Sequence, residues 1–198
     1  MNRGLGAALC GAVLAAAGLA GCASNNPPPG LPNLNQSLAT ADAKLDVAAA
    51  QSLISGYRAN NGLGPVTIDP ELMQLASQQA RAMAAHDKLD HSILHPFQQR
   101  IQQSSFDAAV AVENIAAGYD TLSEAFSGWR ASPPHRANML NPAVTRMGIA
   151  AVYAPASRYK VFWSMILAKP DERHQNARWG GPPAPAGSVG KGYSLQVN

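Results

Sequence analysis

Val112-Glu113-Asn114-Ile115-Ala116, then Trp129, then Ser132-Pro133-Pro134-His135-Arg136-Ala137-Asn138-Met139-Leu140, with His91-Ser92 upstream, is the part of the chain that decides the fold. Between the first two pieces, Thr121-Leu122-Ser123-Glu124 has the spacing of a capping box, in which hydroxyl and carboxylate satisfy each other's backbone donors. It announces a helix carrying Leu122, Ala125, Phe126 and Trp129, which Pro133-Pro134 end. Beyond the prolines, Arg146 to Tyr153 and Tyr159 to Ala168 are rich in Val, Ile, Tyr, Phe and Trp. The turn-like Ala154-Pro155-Ala156-Ser157-Arg158 separates them, so the pair reads as a β-hairpin.

Working upstream, Asp69 can cap a helix, Pro70 suits its first position and Glu71 complements its dipole. Leu72, Leu75, Ala76, Ala80 and Met83 or Ala84 then keep helical spacing toward Leu89. An earlier helix, from about Leu38 to Ala59, follows from Leu45, Ala49, Leu53 or Ile54, and Tyr57; Asn61-Gly62 and Gly64-Pro65 stop it. Helices first and an antiparallel hairpin last define an α+β layered domain. Gly62-Leu63-Gly64-Pro65 lacks the Lys and the strand-to-helix setting of a phosphate-binding loop.

The opening motifs resemble the signature of the CAP domain, also called SCP, in its short bacterial form; the superfamily includes cysteine-rich secretory proteins, antigen 5 and plant pathogenesis-related proteins. The resemblance implies a three-layer α-β-α sandwich with a small antiparallel sheet. It also implies a central cleft holding two His and two Glu. One His lies in a His-Ser pair after the second helix, one Glu in a Glu-Asn-hydrophobic motif, and the second His before the strands; these positions fall on His91, Glu113 and His135. The interval from His135 to Gly148 also suits the family. The fourth position, three residues after the helix Trp, holds Ser132 instead of Glu.

Two imidazoles and a carboxylate are a donor set for a divalent metal, since three protein ligands and one open position is the pattern of catalytic zinc sites. The resemblance therefore implies Zn as the cofactor to test at His91, Glu113 and His135. Loss of the second Glu removes the carboxylate best suited to act as general base beside that metal. The competing reading is structural, with His and Glu side chains knitting the cleft floor to loop backbone. Asn114, Arg136 and Asn138 read as loop support: Asn bonding nearby backbone in a tight His-Arg-Ala-Asn turn, Arg clamping a carboxylate.

Other candidates are weaker. His91 and His95 have an i, i+4 spacing, but Pro96 argues against helix there, and no His-Glu-x-x-His motif exists. His86 reads as solvated. Ser132 lacks the strand-turn-helix elbow of a serine nucleophile. Trp129, Phe126, Trp163 and Phe162 read as core.

The amino-terminal region speaks for export. Arg3 is followed by an uncharged run to Ala20 made mostly of Ala and Gly, too weakly apolar for a membrane span, which needs about 20 strongly apolar residues. Leu19-Ala20-Gly21-Cys22 then resembles a bacterial lipobox, in which Cys22 is acylated and contacts membrane lipid. The expected layout is a lipoprotein signal over 1–21, a Pro-rich tether over 22–37, the CAP domain over 38–170 and a Pro/Gly-rich flexible tail over 171–198. Trp179 and Tyr193 are that tail's two candidates for docking. Cys10 and Cys22 are the only cysteines, so the mature domain has no disulfide and must rest on its core.

The composition is that of a globular chain, 46% hydrophobic and 14% charged. Losing Arg3 with the signal leaves 14 basic residues of 15 against 12 acidic ones, a net of +2 too scattered for a nucleic-acid surface. Ala23 after Cys22, where Asp would favour retention, resembles the pattern of export to the periplasmic face of the outer membrane. These features together point to a lipid-anchored, non-catalytic envelope domain binding a small apolar, glycan or peptide ligand. The alternatives are a divalent-metal-dependent hydrolase acting on envelope material and a structural or stress lipoprotein without a ligand.

Overall fold

The computed structural model describes Met1, residues 33–171 and the backbone of residues 194–197. The signal, Cys22, most of the tether, Trp179 and Tyr193 lie outside the described residues. Among the described residues, five helices and five strands follow in the order α1 (Val47–Ala59), β1 (Thr67–Ile68), α2 (Pro70–His86), α3 (Phe97–Gln103), β2 (Ala108–Ala117), α4 (Leu122–Ala131), α5 (Pro133–Met139), β3 (Arg146–Ala154), β4 (Lys160–Pro170) and β5 (Ser194–Val197). No helix among the described residues is long and apolar enough to cross a membrane.

Alternation along the strands creates the layers. On β4, Val161, Trp163, Met165 and Leu167 join a core with residues of α1, α4 and α5, including Ile54, Trp129 and Met139. Ile166 and Ala168 of the same strand pack instead with Leu72, Leu75 and Ala76 of α2 and with Phe97 and Ile101 of α3. The sheet is thus the middle layer of an α-β-α sandwich. Gly148 is required where α2 crosses β3: a Cβ there would lie 2.1 Å from the Leu72 carbonyl carbon, and that backbone cannot step aside.

The sheet order is β1-β3-β4-β2-β5. The β3–β4 hairpin is present, pairing from Arg146↔Ala168 to Ala154↔Lys160, and β2 runs antiparallel to β4 with Glu113 opposite Ile166. The two outer strands are parallel to their neighbours, so the sheet is larger than the hairpin expected and mixed in sense. From Glu113, where the pairing with β5 ends, the Glu113 and Ile115 carbonyls of β2 accept from the side chains of Asn138 and Trp129 at 3.2 and 3.3 Å.

The capping expectations for two helices hold. Asp69 Oδ1 accepts from the Glu71 and Leu72 amides, and Thr121 with Glu124 forms the reciprocal box. The first helix begins nine residues later than its apolar spacing predicts, at Val47, because Asp46 accepts from the Ala49 amide and sets the start there. Leu38 is nonetheless buried in extended chain, its amide bonded to the Asp120 carbonyl. The end of the tether also packs on the domain: Leu34 lies against the core and its carbonyl accepts from the Ser123 amide at 3.0 Å. Helix α2 stops at His86, three residues short of Leu89, where Asp87 turns left-handed at φ 48°. Pro133-Pro134 end α4 as expected, but they also open α5, so His135-Arg136-Ala137-Asn138 is a helical turn instead of a tight loop.

Candidate functional site

Glu113 sits in the middle of β2, fully buried, with its side chain on the sheet face that packs against α2 and α3. A carboxylate in such a place is tolerable only if paired and hydrogen-bonded. Its partner is Arg100, itself buried on α3, whose Nη2 donates to Glu113 Oε1 and Oε2 at 2.9 and 2.8 Å. Ser164 Oγ of β4 contacts Oε1 at 3.4 Å, and His91 Nδ1 lies 2.8 Å from Oε2. An ionised carboxylate only accepts, so the proton of this last contact belongs to Nδ1. Glu113 thereby orients the His91 ring.

Arg100 also builds the segment that carries His91. Its Nη2 donates to the His91 carbonyl at 3.1 Å and its Nε to the His95 carbonyl at 3.2 Å. Gln79 of α2 holds the preceding Asp90 carbonyl at 2.7 Å. The stretch from His91 to Pro96 is therefore non-helical but fastened at both ends, and the i, i+4 relation of His91 and His95 puts nothing on a common helix face. The Arg100 guanidinium stands over the Phe97 ring at 5.2 Å, which seats the charge against an apolar wall.

His135 approaches from α5, on the other layer. Asn114 points to that layer and donates to the His135 carbonyl at 3.0 Å, while Asn138 Nδ2 donates to Asn114 Oδ1 at 2.9 Å and to the Glu113 carbonyl. These two amides tie α5 to β2 at the level of Glu113. Burial is the main cause holding the His135 imidazole below its usual value, and repulsion from His91 adds to it. Arg136 does not clamp a carboxylate; its Nη1 donates to the Arg130 carbonyl at 2.9 Å and joins the ends of α4 and α5. Trp129 and Trp163 are core, edge to face with centroids 6.3 Å apart.

The metal set expected from His91, Glu113 and His135 does not fit this geometry. Both Glu113 oxygens are already engaged by a guanidinium and Nδ1 of His91 is turned to the same carboxylate, so the acidic ligand is spent inside the fold. No group of three or more His, Cys, Asp or Glu among the described residues is arranged to hold a metal ion.

Arg100 is the residue that sequence reasoning missed. Its signal was local: Phe97, Arg100 and Ile101 fall on one face of a single short helix, and both hydrophobic members are buried. An arginine on an apolar face needs a buried acceptor, and Glu113 supplies it.

This fold and site define a class. The model of the cysteine-rich secretory protein family, the CAP domain, matches residues 51–167, and the chain belongs to that family. The uncharacterized protein YkwD of Bacillus subtilis is 30% identical over 128 residues, covering 58% of this chain; the chain spans about half (49%) of that relative's length. Among solved structures, an extracellular protein containing an SCP domain from Bacillus anthracis is similar with a TM-score of 0.54 and 23% identity, over 62% of this chain and 39% of that one. An outer surface protein of Borrelia burgdorferi is similar with a TM-score of 0.56 and 21% identity, over 64% and 93% of the two chains.

Proposed function

We propose that this chain is an exported, lipid-anchored envelope protein whose CAP domain binds a small ligand in the cleft between His91 and His135 and does not turn it over. The observation that carries the non-catalytic half is the saturation of Glu113 by Arg100, His91 and Ser164. With Ser132 at the other acidic position of the family pattern, the cleft presents two imidazoles and no carboxylate disposed to act as a general base. Export and anchoring are supported by the apolar run that ends in Leu19-Ala20-Gly21-Cys22, and by relatives described as extracellular or as an outer surface protein. The periplasmic face of the outer membrane is the destination that Ala23 favours.

Two measurements test the halves separately. Expressed with its full amino terminus in a Gram-negative host fed radiolabelled palmitate, the chain should label and sediment with membranes, and Cys22→Ser should do neither. An unlabelled wild-type chain sinks the anchor. For the cleft, imidazole NMR signals of His91 and His135 are followed during titration with N-acetylglucosamine, trialanine and an aliphatic detergent below its micelle concentration. One probe should shift both rings and lose its effect in His135→Ala. No response to any of them, or release of products from a peptide or ester probe by wild type but not by His135→Ala, sinks the binding reading.

A further inference from the structure

We infer that Arg100 is the resident cation of the cleft: its guanidinium holds, against Glu113, the charge position that a divalent metal would need, and through Glu113 it fixes His91 with no metal required. The inference concerns the same cleft but is independent of what ligand fills it.

The geometry supports it at three points. First, Arg100 contacts both carboxylate oxygens and buries the pair almost completely, with side chains 5% and 0% exposed. A metal approaching Glu113 would have to displace a charge-assisted contact in a dry setting, where loss of one partner of such a pair is strongly unfavourable. Second, Arg100 cannot easily withdraw. Its Nε and Nη2 also hold the His95 and His91 carbonyls, so leaving Glu113 would undo the segment that carries His91. Third, the function a metal-bound carboxylate would serve toward His91 is already performed, since Glu113 sets the proton on Nδ1 and with it the orientation of the ring. Arg100 is therefore a positioning residue that acts on His91 through Glu113.

The test is calorimetric titration of Zn into the full chain and its variants. Arg100→Gln should bind Zn at least tenfold more tightly than wild type, because the carboxylate is released to join the imidazoles. The gain should vanish in the double variant Arg100→Gln with Glu113→Gln. An affinity that is unchanged or weaker in Arg100→Gln overturns the inference. Because that variant can fail to fold, a second measurement uses wild type alone: the side-chain Nε–H signal of Arg100 in a proton-nitrogen NMR spectrum should stay in place as Zn is added to millimolar concentration. Its shift or loss would mean that metal enters beside Glu113, and the inference would fall.

Discussion

Two guanidiniums among the described residues are buried, and they are satisfied in opposite ways. Arg58, 1% exposed at the end of α1, meets no carboxylate among the described residues; it donates to the carbonyls of Gly64, Met139, Asn141 and Val144 at 2.8 to 3.0 Å. Burial lowers its pKa from the usual value, yet an arginine remains charged there. Arg100, 6% exposed, has one anionic partner and two carbonyls. The first is spread over the loops that follow α1 and α5 and serves as scaffold. The second concentrates its charge on one side chain that in turn touches His91. A buried cation shared among many dipoles stabilises a fold, whereas one matched to a single anion also governs what that anion can do.

The sharpest way to break this comparison is by truncation. Arg58→Leu leaves four carbonyls without their donor, and at about 1.5 kcal/mol for each bond to a charged group the loss should approach about 6 kcal/mol. Urea unfolding should therefore show little folded protein, and a loss under about 2 kcal/mol would mean that solvent replaces the clamp. Arg100→Leu strands a buried carboxylate and should cost about 3 to 5 kcal/mol. The two differ in rescue: adding Glu113→Leu to Arg100→Leu should recover most of the loss in the same measurement, while no single second change restores the Arg58 site. Failure of the double variant to recover would mean that Arg100 works mainly through the His91 and His95 carbonyls.

A smaller effect distinguishes His135 by pH. The folded-state pKa of His135 is depressed below 6.5, so between that value and the unfolded one the unfolded chain binds more protons. Stability is fully present above the unfolded pKa and is lost as pH falls through the folded one. Thermal melting from about pH 7.5 to about pH 5 should show this decline, and His135→Gln should flatten it; an unchanged slope would assign the decline elsewhere. The smallest effect is at the surface: Lys88→Ala breaks an ion pair with Asp90 whose members are 63% and 30% exposed. No measurable change in melting temperature is expected, because solvent screens such pairs.

Much of the architecture was legible before any coordinates. Asp69-Pro70, the Thr121–Glu124 box and the two β-rich runs around Pro155 act within a few residues, so their outcome hardly depends on the rest of the chain. The start of α1 was misplaced because apolar spacing continues back to Leu38, which packs in the core without being helical; periodicity reports burial and is blind to the cap at Asp46. Strand β2 and helix α3 were unassigned because Ala108–Ala117 is dominated by Ala, a weak strand former, and the seven residues of α3 are too few to display a helical period. Of the site, His91 and Glu113 are in direct contact and His135 lies on the neighbouring layer. The partner of Glu113 went unseen because an arginine in a short polar helix resembles any solvated one.

Sequence alone therefore determined the start of α2, the extent of α4 and the β3–β4 hairpin, which family the domain belongs to and which three side chains to watch, because caps, prolines and alternation are local chemistry repeated along the chain. Tertiary structure decided how Glu113 is spent. Arg100 and Glu113 are 13 residues apart on different kinds of element, and their pairing exists only once α3 packs on the sheet and water is removed. Mutual attraction in the low-dielectric interior has to offset the desolvation of both charges, and no stretch of sequence contains that setting by itself.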